Sequence, residues 1–378
     1  MNLHNELDGI TVIALEQAVA APYCSMLLAD AGARVIKIER PEGDFARGYD
    51  AGANGQSSIF AWLNRGKESI CLDINNKSDK ELLVRMIKES DIFLHNLAPG
   101  VLNRKGFSWN DVKDLNSKII NCSISGYGSS EQYGNKKAYD FLIQGEVGLC
   151  SVTGTERQPS RVGISITDIS SGLTAFSAIL RGLIQMSRTG KAINIEVSMF
   201  DVIADWMNMP LLAYRYGAGA PKRMALSHSF IAPYGVFETL DKKKILISIQ
   251  NDREWISFCC NVLNSKELAQ DQRMLNNVER NKNRVYLETK ISKVFRMFTK
   301  SALIKKLEKA KIACANLNSV RDLSEHKLLR NKEVSFADSN ILIADLPISS
   351  GNEKKSFVPS LDQHGKSLRI EFKDKQID

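Results

Sequence analysis

One carboxylate in this chain stands in a setting suited to nucleophilic chemistry. Asp168 lies in the run Arg161-Val-Gly-Ile-Ser-Ile-Thr-Asp-Ile-Ser-Ser-Gly-Leu173, where Arg161 is the only cation. Apolar surroundings make a carboxylate costly to bury without partners. The small neighbours Ser165, Thr167, Ser170, Ser171 and Gly172 leave room for another molecule to approach. A carboxylate so placed can attack an activated acyl group and carry it as a covalent adduct. The competing reading is structural. Asp168 precedes an apolar-periodic stretch (Ile169, Leu173, Phe176, Ile179, Leu180, Leu183), as a helix N-cap does. Read alone, the run favours the cap. The two roles are compatible, because a helix dipole helps to hold a carboxylate ionised at its amino end.

The elements that must position Asp168 begin with a β-α rhythm. Ile10–Leu15, Ala33–Glu39, Ser69–Ile74, Ile92–Asn96 and Lys118–Ser125 read as strands, with helices at Pro22–Ala31 and Ser78–Ser90. This predicts an α/β protein with a Rossmann-like, doubly wound and mostly parallel sheet. The first β-α turn, Glu16-Gln-Ala-Val-Ala-Ala-Pro22, has no G-x-G-x-x-G, which argues against a nicotinamide dinucleotide site. Helices are expected over 138–150, 168–188 and Asp201–Tyr216, and a strand over Ile193–Val197. Gly217-Ala-Gly-Ala-Pro-Lys-Arg223 reads as a linker. Beyond it, Tyr234–Leu240 and Lys244–Gln250 suggest antiparallel strands, followed by helices from Asp252 to about Lys311. The expected organisation is a large domain over 1–220, a small α+β domain over 225–325, and a C-terminal segment over 327–378 that returns to the large domain.

Composition narrows the function classes. The chain has 378 residues, 43% hydrophobic and 25% charged, enough for a sizeable core. It contains no run of 18 apolar residues, so no membrane span is expected. Met1-Asn-Leu-His-Asn-Glu-Leu-Asp-Gly9 has no secretory pattern, so a cytoplasmic protein is expected. Seven scattered cysteines without C-x-x-C read as reduced core residues, and five dispersed histidines offer no metal-ligand spacing. No metal and no permanently bound cofactor are expected. The net charge of +8 suits a polyanionic partner. Residues 279–311 carry 11 Lys/Arg against 3 Glu, but with helical apolar periodicity and no nucleic-acid motif they read as a solvated helix face.

Several segments, in order over most of the chain, carry a family resemblance. They are Leu7-Asp-Gly-Ile-Thr-Val-Ile13, Leu28-Ala-Asp-Ala-Gly-Ala-Arg-Val-Ile-Lys-Ile-Glu-Arg-Pro41, Gly43-Asp-Phe-Ala-Arg47, Asn64-Arg-Gly-Lys67, Asn96-Leu-Ala-Pro-Gly-Val-Leu-Asn-Arg104, Ser125-Gly-Tyr-Gly128 and Arg188-Thr-Gly-Lys191. Together they resemble the family III CoA-transferases, a group that includes formyl-CoA:oxalate and carnitine CoA-transferases and the α-methylacyl-CoA racemases. Val19-Ala-Ala-Pro22 departs from the Ala-Gly-Pro of many members. The resemblance implies an interlocked homodimer and makes Asp168 the active carboxylate, forming a mixed anhydride and then an aspartyl-CoA thioester. It places coenzyme A, a substrate rather than a resident cofactor, against Val19, Ala20, Arg40, Leu72, Asp73, Ile74, Asn75, Asn96, Leu97, Ala98, Arg104, Lys137, Tyr139 and Asp140. Arginine also suits the CoA phosphates on physical grounds. The small residues around Asp168, with Gly145 and Gly148, are candidate oxyanion donors.

Within the resemblance, residue 139 separates two chemistries. The racemases carry a Gly-His-Asp segment where this chain has Ala138-Tyr139-Asp140. A phenol with a pKa of about 10 is a poor general base near neutrality, which favours transfer over α-proton exchange. The segment Tyr139-Asp-Phe-Leu-Ile-Gln144 resembles a transferase pattern. His228-Ser-Phe-Ile-Ala-Pro-Tyr-Gly235 and Ala204-Asp-Trp-Met-Asn-Met-Pro-Leu-Leu212 resemble members that act on small dicarboxylates, and the long glycine-rich loop of formyl-CoA transferases is missing between 217 and 245. Gln144, Arg47, Arg215 and His228 are the candidate acceptor contacts. The expected activity is CoA transfer from an acyl-CoA, succinyl-CoA in the first instance, to a small dicarboxylic acid. The alternatives are an α-methylacyl-CoA racemase and a non-catalytic CoA-binding dimer. Neither nucleic acid nor membrane is expected as a partner.

Overall fold

The computed structural model describes residues 5–130, 132–217, 219–337, 339–348 and 356–373. Residues 349–355 and 374–378 of the expected C-terminal segment lie outside the described residues. The chain divides into two compact units, one of 1–149, 162–208 and 330–378, the other of 150–161 and 209–329. Residues 150–161, read from sequence as part of the large domain, thus group with the second unit.

The first unit is built on β1 (Thr11–Leu15), α1 (Ala20–Asp30), β2 (Arg34–Glu39), α2 (Ser58–Leu63), β3 (Lys67–Cys71), α3 (Lys77–Lys88), β4 (Ile92–His95), α4 (Val101–Arg104), α5 (Trp109–Leu115) and β5 (Ile120–Ser125). It continues through α6 (Asp140–Glu146), α8 (Ile166–Thr189), β6 (Ile193–Ser198) and α9 (Met199–Trp206); α7 (Leu149–Val152) crosses into the second unit at Cys150, and α10 (Asn208–Tyr216) leads out of the first unit. The six strands form one parallel sheet in the order β3-β2-β1-β4-β5-β6. Their apolar runs fit a sheet with both faces covered. Val12, Ala14, Val35, Ile92, Leu94 and Ile120 pack with α1 and α8, while Ile13, Ile36, Ile70 and Phe93 pack with Leu82, Leu83 and Met86 of α3. The order reverses between β1 and β4, so the crevice above their carboxyl ends is where such a sheet binds ligands.

Local chemistry starts and stops these elements. Asn76 caps α3 through the Ser78 and Asp79 N–H groups, and Ser108 with Asp111 forms a capping box on α5. Helix α8 ends at Gly190, whose φ of +64° suits glycine. Gly172 decides how closely α8 approaches α1, because a Cβ there would stand 2.4 Å from the Ala20 carbonyl oxygen.

Several boundaries differ from the sequence expectation. The strand read over Ser69–Ile74 ends at Cys71, because Asp73 turns the chain by accepting the Asn75 N–H. The helix expected over 138–150 is α6 alone up to Glu146, followed by the short α7. The helix expected over Asp201–Tyr216 breaks at Met207 into α9 and α10. A three-stranded sheet of β10 (Asn331–Phe336), β11 (Ser339–Ala344) and β12 (Ser356–Val358) joins the first unit; β7 to β9 belong to the second unit, below. The segment after it covers the edge strand β3. Ser69 N–H donates to His364 Nδ1 (3.1 Å), His364 N–H to the Ser69 carbonyl (2.9 Å), and Cys71 N–H to Asp362 Oδ1 (2.7 Å).

The second unit contains the antiparallel sheet of β7 (Tyr234–Glu238), β8 (Lys244–Ser248) and β9 (Ala313–Asn316). Helices between Asp252 and Lys309 pack on it through Trp255, Phe258, Leu287, Ile291, Phe295 and Leu303.

Candidate active site

Asp168 occupies the third position of α8, not its cap. The N-cap is Ser165, whose side chain makes no capping bond. Asp140, at the start of α6, does the capping from another element. Its Oδ1 accepts the Thr167 N–H at 2.7 Å and the Asp168 N–H at 3.4 Å. Its Oδ2 accepts from the Gln144 amide at 2.7 Å, and Gln144 Oε1 accepts the Val162 N–H at 2.9 Å. Asp140 is 8% exposed and Gln144 fully buried. The capping reading of Asp168 is therefore replaced. A second carboxylate satisfies the helix terminus and leaves the Asp168 side chain without a hydrogen-bond partner among the described residues.

Electrostatics follow from this arrangement. Burial pushes the Asp168 carboxyl up to about 7, and the like charge of Asp140 adds to the shift. The expectation that the helix dipole holds Asp168 ionised is thus outweighed. Tyr49 is within electrostatic reach, since burial, Asp44, Asp168 and Tyr139 all raise its phenol. Tyr139 is 62% exposed, and Val19 packs in one cluster with Ile169. Because the first-turn N–H groups of Thr167 and Asp168 are engaged by Asp140, they are not free to meet an oxyanion.

A cleft opens at the carboxyl ends of β1 to β4, beside the reversal of strand order. It brings together Arg40, Leu72, Asp73, Ile74, Asn75 and Leu97, all singled out from sequence. Arg40 donates to the Gly43 carbonyl and lies 5.7 Å from the Phe45 ring centre. Arg104 and Lys137 are exposed and, among the described residues, pair with no carboxylate. Asn96 holds the β1–α1 turn, accepting the Gln17 N–H at 3.0 Å and donating to the Gln17 carbonyl at 2.8 Å. Ala98 is exposed, whereas Val19 and Ala20 are buried at the head of α1.

The acceptor candidates fare differently. Arg47 is committed to a bidentate pair with buried Glu39 (2.7 and 2.8 Å), donates to the Pro359 carbonyl and stacks 3.9 Å from the Phe60 ring centre. A guanidinium so engaged is not available to a substrate carboxylate. The Gln144 amide is likewise consumed by Asp140 and Val162. Arg215 and His228 belong to the second unit. His228 Nδ1 accepts the Phe230 N–H and its ring stacks on Tyr234 at 5.3 Å, while burial and then Arg284 lower its pKa, so it is a poor cation at neutral pH.

Sequence reasoning missed a buried ionic cluster under the cleft. Lys67 Nζ donates to Glu16 Oε1 (2.7 Å), Asn64 Oδ1 (3.0 Å) and the Pro22 carbonyl (3.1 Å). Lys37 Nζ donates to Asp44 Oδ2 (2.9 Å), and Asp44 Oδ1 accepts the Ala18 N–H (3.1 Å), fixing Ala18 at a φ of +62°. Burial lowers Lys67 to about 8. Two lysines inside apolar parallel strands were the available signal. Among the described residues no group of three or more His, Cys, Asp or Glu could hold a metal ion, and no helix is long and apolar enough to cross a membrane.

The sequence matches the model of CoA-transferase family III over residues 7–360. The chain belongs to that family. It is 31% identical over 372 residues to the acetyl-CoA:oxalate CoA-transferase of Acetobacter aceti, covering 97% of this chain and 95% of that one. It is 32% identical over 329 residues to the succinyl-CoA:glutarate CoA-transferase of Mus musculus, covering 86% and 75%. The crystal structure of a CaiB/BaiF family protein from Brucella suis superposes with a TM-score of 0.79 at 30% identity, over 97% and 99% of the two chains. The family III protein is thus an enzyme of the CoA-transferase type, and CoA thioesters are its substrates.

Proposed function

We propose that this enzyme moves CoA from succinyl-CoA to a small dicarboxylic acid through covalent adducts on Asp168. The observation that carries the reading is the Asp168 carboxylate, half-buried at the head of α8 and without a partner. In the first step an Asp168 oxygen attacks the thioester carbonyl, the C–S bond breaks and CoA leaves as a thiolate. The thiolate then attacks the Asp168 acyl carbon of the mixed anhydride, giving an aspartyl-CoA thioester and releasing succinate. The acceptor carboxylate repeats the sequence in reverse, restoring Asp168 and leaving as its CoA ester. Each acylation removes the Asp168 charge, so the burial and the Asp140 repulsion that disfavour the free carboxylate both favour the adduct.

Arg40, Arg104 and Lys137 are the cations for CoA phosphates, and Leu72–Asn75 with Leu97 line the cleft for the nucleotide end. Val19, Ala20 and Ala98 are further CoA contacts in this reading. Exposed Phe141, Leu142, Leu173, Ile184 and Trp206 on α6, α8 and α9 are apolar surface of the kind that a second copy covers, which supports an interlocked homodimer. We place this dimer in the cytoplasm. Succinyl-CoA as donor and a dicarboxylate as acceptor rest on the likeness to the mouse enzyme. The A. aceti relative puts oxalate on the acceptor panel despite the missing glycine-rich loop.

The test is mass spectrometry of the enzyme mixed with succinyl-CoA without acceptor. A CoA adduct on the peptide containing Asp168, lost in Asp168→Asn, is expected, and an unmodified peptide would overturn the reading. With acceptors added, glutarate, mesaconate or oxalate should exceed butyrate by more than about tenfold, since a site built for a second carboxylate is left unpaired without it. Equal rates would refute the dicarboxylate assignment alone.

A further inference from the structure

The Gln144 amide is buried and makes two directed hydrogen bonds, neither to solvent nor to the surface of the cleft. On one side its NH2 donates to Asp140 Oδ2. On the other its carbonyl accepts the N–H of Val162, in the segment that leads into α8. Asp140 in turn accepts the Thr167 N–H at 2.7 Å, and the Thr167 hydroxyl reaches back to the Asp140 carbonyl at 3.4 Å. One side chain therefore ties together α6, the approach to α8 and the amino end of α8. Asp168 is the next residue along. A packing role alone needs none of this directionality, since an isosteric apolar side chain would fill the same volume.

We propose that Gln144 is a positioning residue for the reaction at Asp168, holding the Asp140 carboxylate against the first turn of α8 so that Asp168 is presented free of hydrogen bonds and next to a like charge. The inference rests on the reading of Asp168 as the acyl acceptor. Its chemical content is that Gln144 acts on the free carboxylate and on the adduct unequally. With Asp140 held in place, the free carboxylate suffers repulsion that acylation relieves. With Asp140 released, the first-turn N–H groups are freed to bind the Asp168 oxygens. That would stabilise the free carboxylate and slow its attack.

Several titratable groups among the described residues face this arrangement. Asp168 and Asp140 are the two carboxylates. Tyr139 and Tyr49 flank them, and Asp44 reaches Tyr49. On the outer side of α6, Glu146 pairs with Lys136 and the Tyr127 hydroxyl. On α9, which also packs on α6, Asp201 and Asp205 line a separate groove with Tyr127.

The experiment uses the full chain and reads single-turnover formation of the Asp168 adduct from succinyl-CoA between pH 6 and 8. The wild type is measured first, and absence of any adduct there would sink the proposed function rather than this inference. Gln144→Leu should slow adduct formation by about 100-fold, the scale expected when a reacting group loses its placement, with unchanged affinity for CoA. Gln144→Glu supplies the control that a folding defect cannot mimic. Its carboxyl, when protonated, still donates to Asp140 and accepts from Val162. When ionised, it repels Asp140. Adduct formation should therefore approach the wild-type rate at pH 6 and fall away toward pH 8, while the melting temperature of the variant stays high enough at both pH values for the protein to be folded. Wild-type rates in both variants, or a Gln144→Glu rate that tracks the wild type at every pH, would overturn the proposal.

Discussion

At the scale of single residues, Asp168 is held in a state that the fold pays for. A carboxyl whose folded-state pKa is raised contributes stability that is present below its unfolded value and lost as pH rises through the folded value, here about 7. Asp168→Asn should therefore stabilise the enzyme above neutral pH, by about 1–2 kcal/mol, and by nothing near pH 4, as thermal melts at the two pH values will show. The same variant should lose more than about 99% of transfer activity. A wild-type kcat/KM that rises with pH toward a plateau above about 7 is the kinetic counterpart, because the nucleophile must be ionised to attack. Arg40→Ala and Arg104→Ala should raise KM for the CoA ester at a cost of roughly 1.5–3 kcal/mol each and leave KM for the free acid nearly unchanged. Equal effects on both substrates would make these arginines structural. Asp168 was legible from its own run of residues. Its environment was not, because the carboxylate that caps α8 comes from 28 residues earlier in the chain. Arg47 looked available in sequence for the same reason, since nothing local announces its bond to Glu39.

Secondary-structure elements are set against one another by a buried cluster of charges. Glu16 directly follows β1, Lys37 lies in β2 and Lys67 opens β3, and all three side chains are buried. Their strands bring them together only through parallel registration, Lys37 opposite Ser69 and Ala14. Removing one partner leaves a buried charge uncompensated, so Lys67→Met should destabilise the fold by about 3–5 kcal/mol, read from chemical denaturation. A loss below about 1 kcal/mol would mean that Glu16 finds water or a proton instead. The parallel strands themselves were readable from their apolar runs, and their ends less so. The run Ser69–Ile74 looks uniform, yet Asp73 bends it out of the sheet by binding Asn75. The break at Met207 within an unbroken apolar-periodic stretch has no strong local signal other than Pro210 three residues on. Gly172 is the opposite case. An apparently ordinary small residue in α8 is where the helix meets α1, and Gly172→Ala should force the two apart.

For the whole molecule, the division between the units falls at Asn208–Met209, ahead of the linker read at 217–223, which lies inside the second unit, and the grouping of 150–161 with that unit depends on contacts that no composition shift marks. The dimer proposed above would cover apolar side chains on α6, α8 and α9. Sedimentation should then show a species of twice the chain's 42.1 kDa mass, and a monomer at working concentration would refute it. The edge strand β3 carries a consequence of another kind. It is formed by residues 67–71, but the groups that close its outer edge, His364 and Asp362, lie 295 and 291 residues further along. On a ribosome adding about 5–20 residues per second, that separation corresponds to roughly 15–60 seconds. For that interval the nascent sheet has an edge of unpaired backbone N–H and C=O groups, the kind of template on which chains join one another. The newborn enzyme is therefore most in need of a chaperone before residues 356–373 are made, and a stalled or shortened chain lacking them should aggregate in proportion to its lifetime.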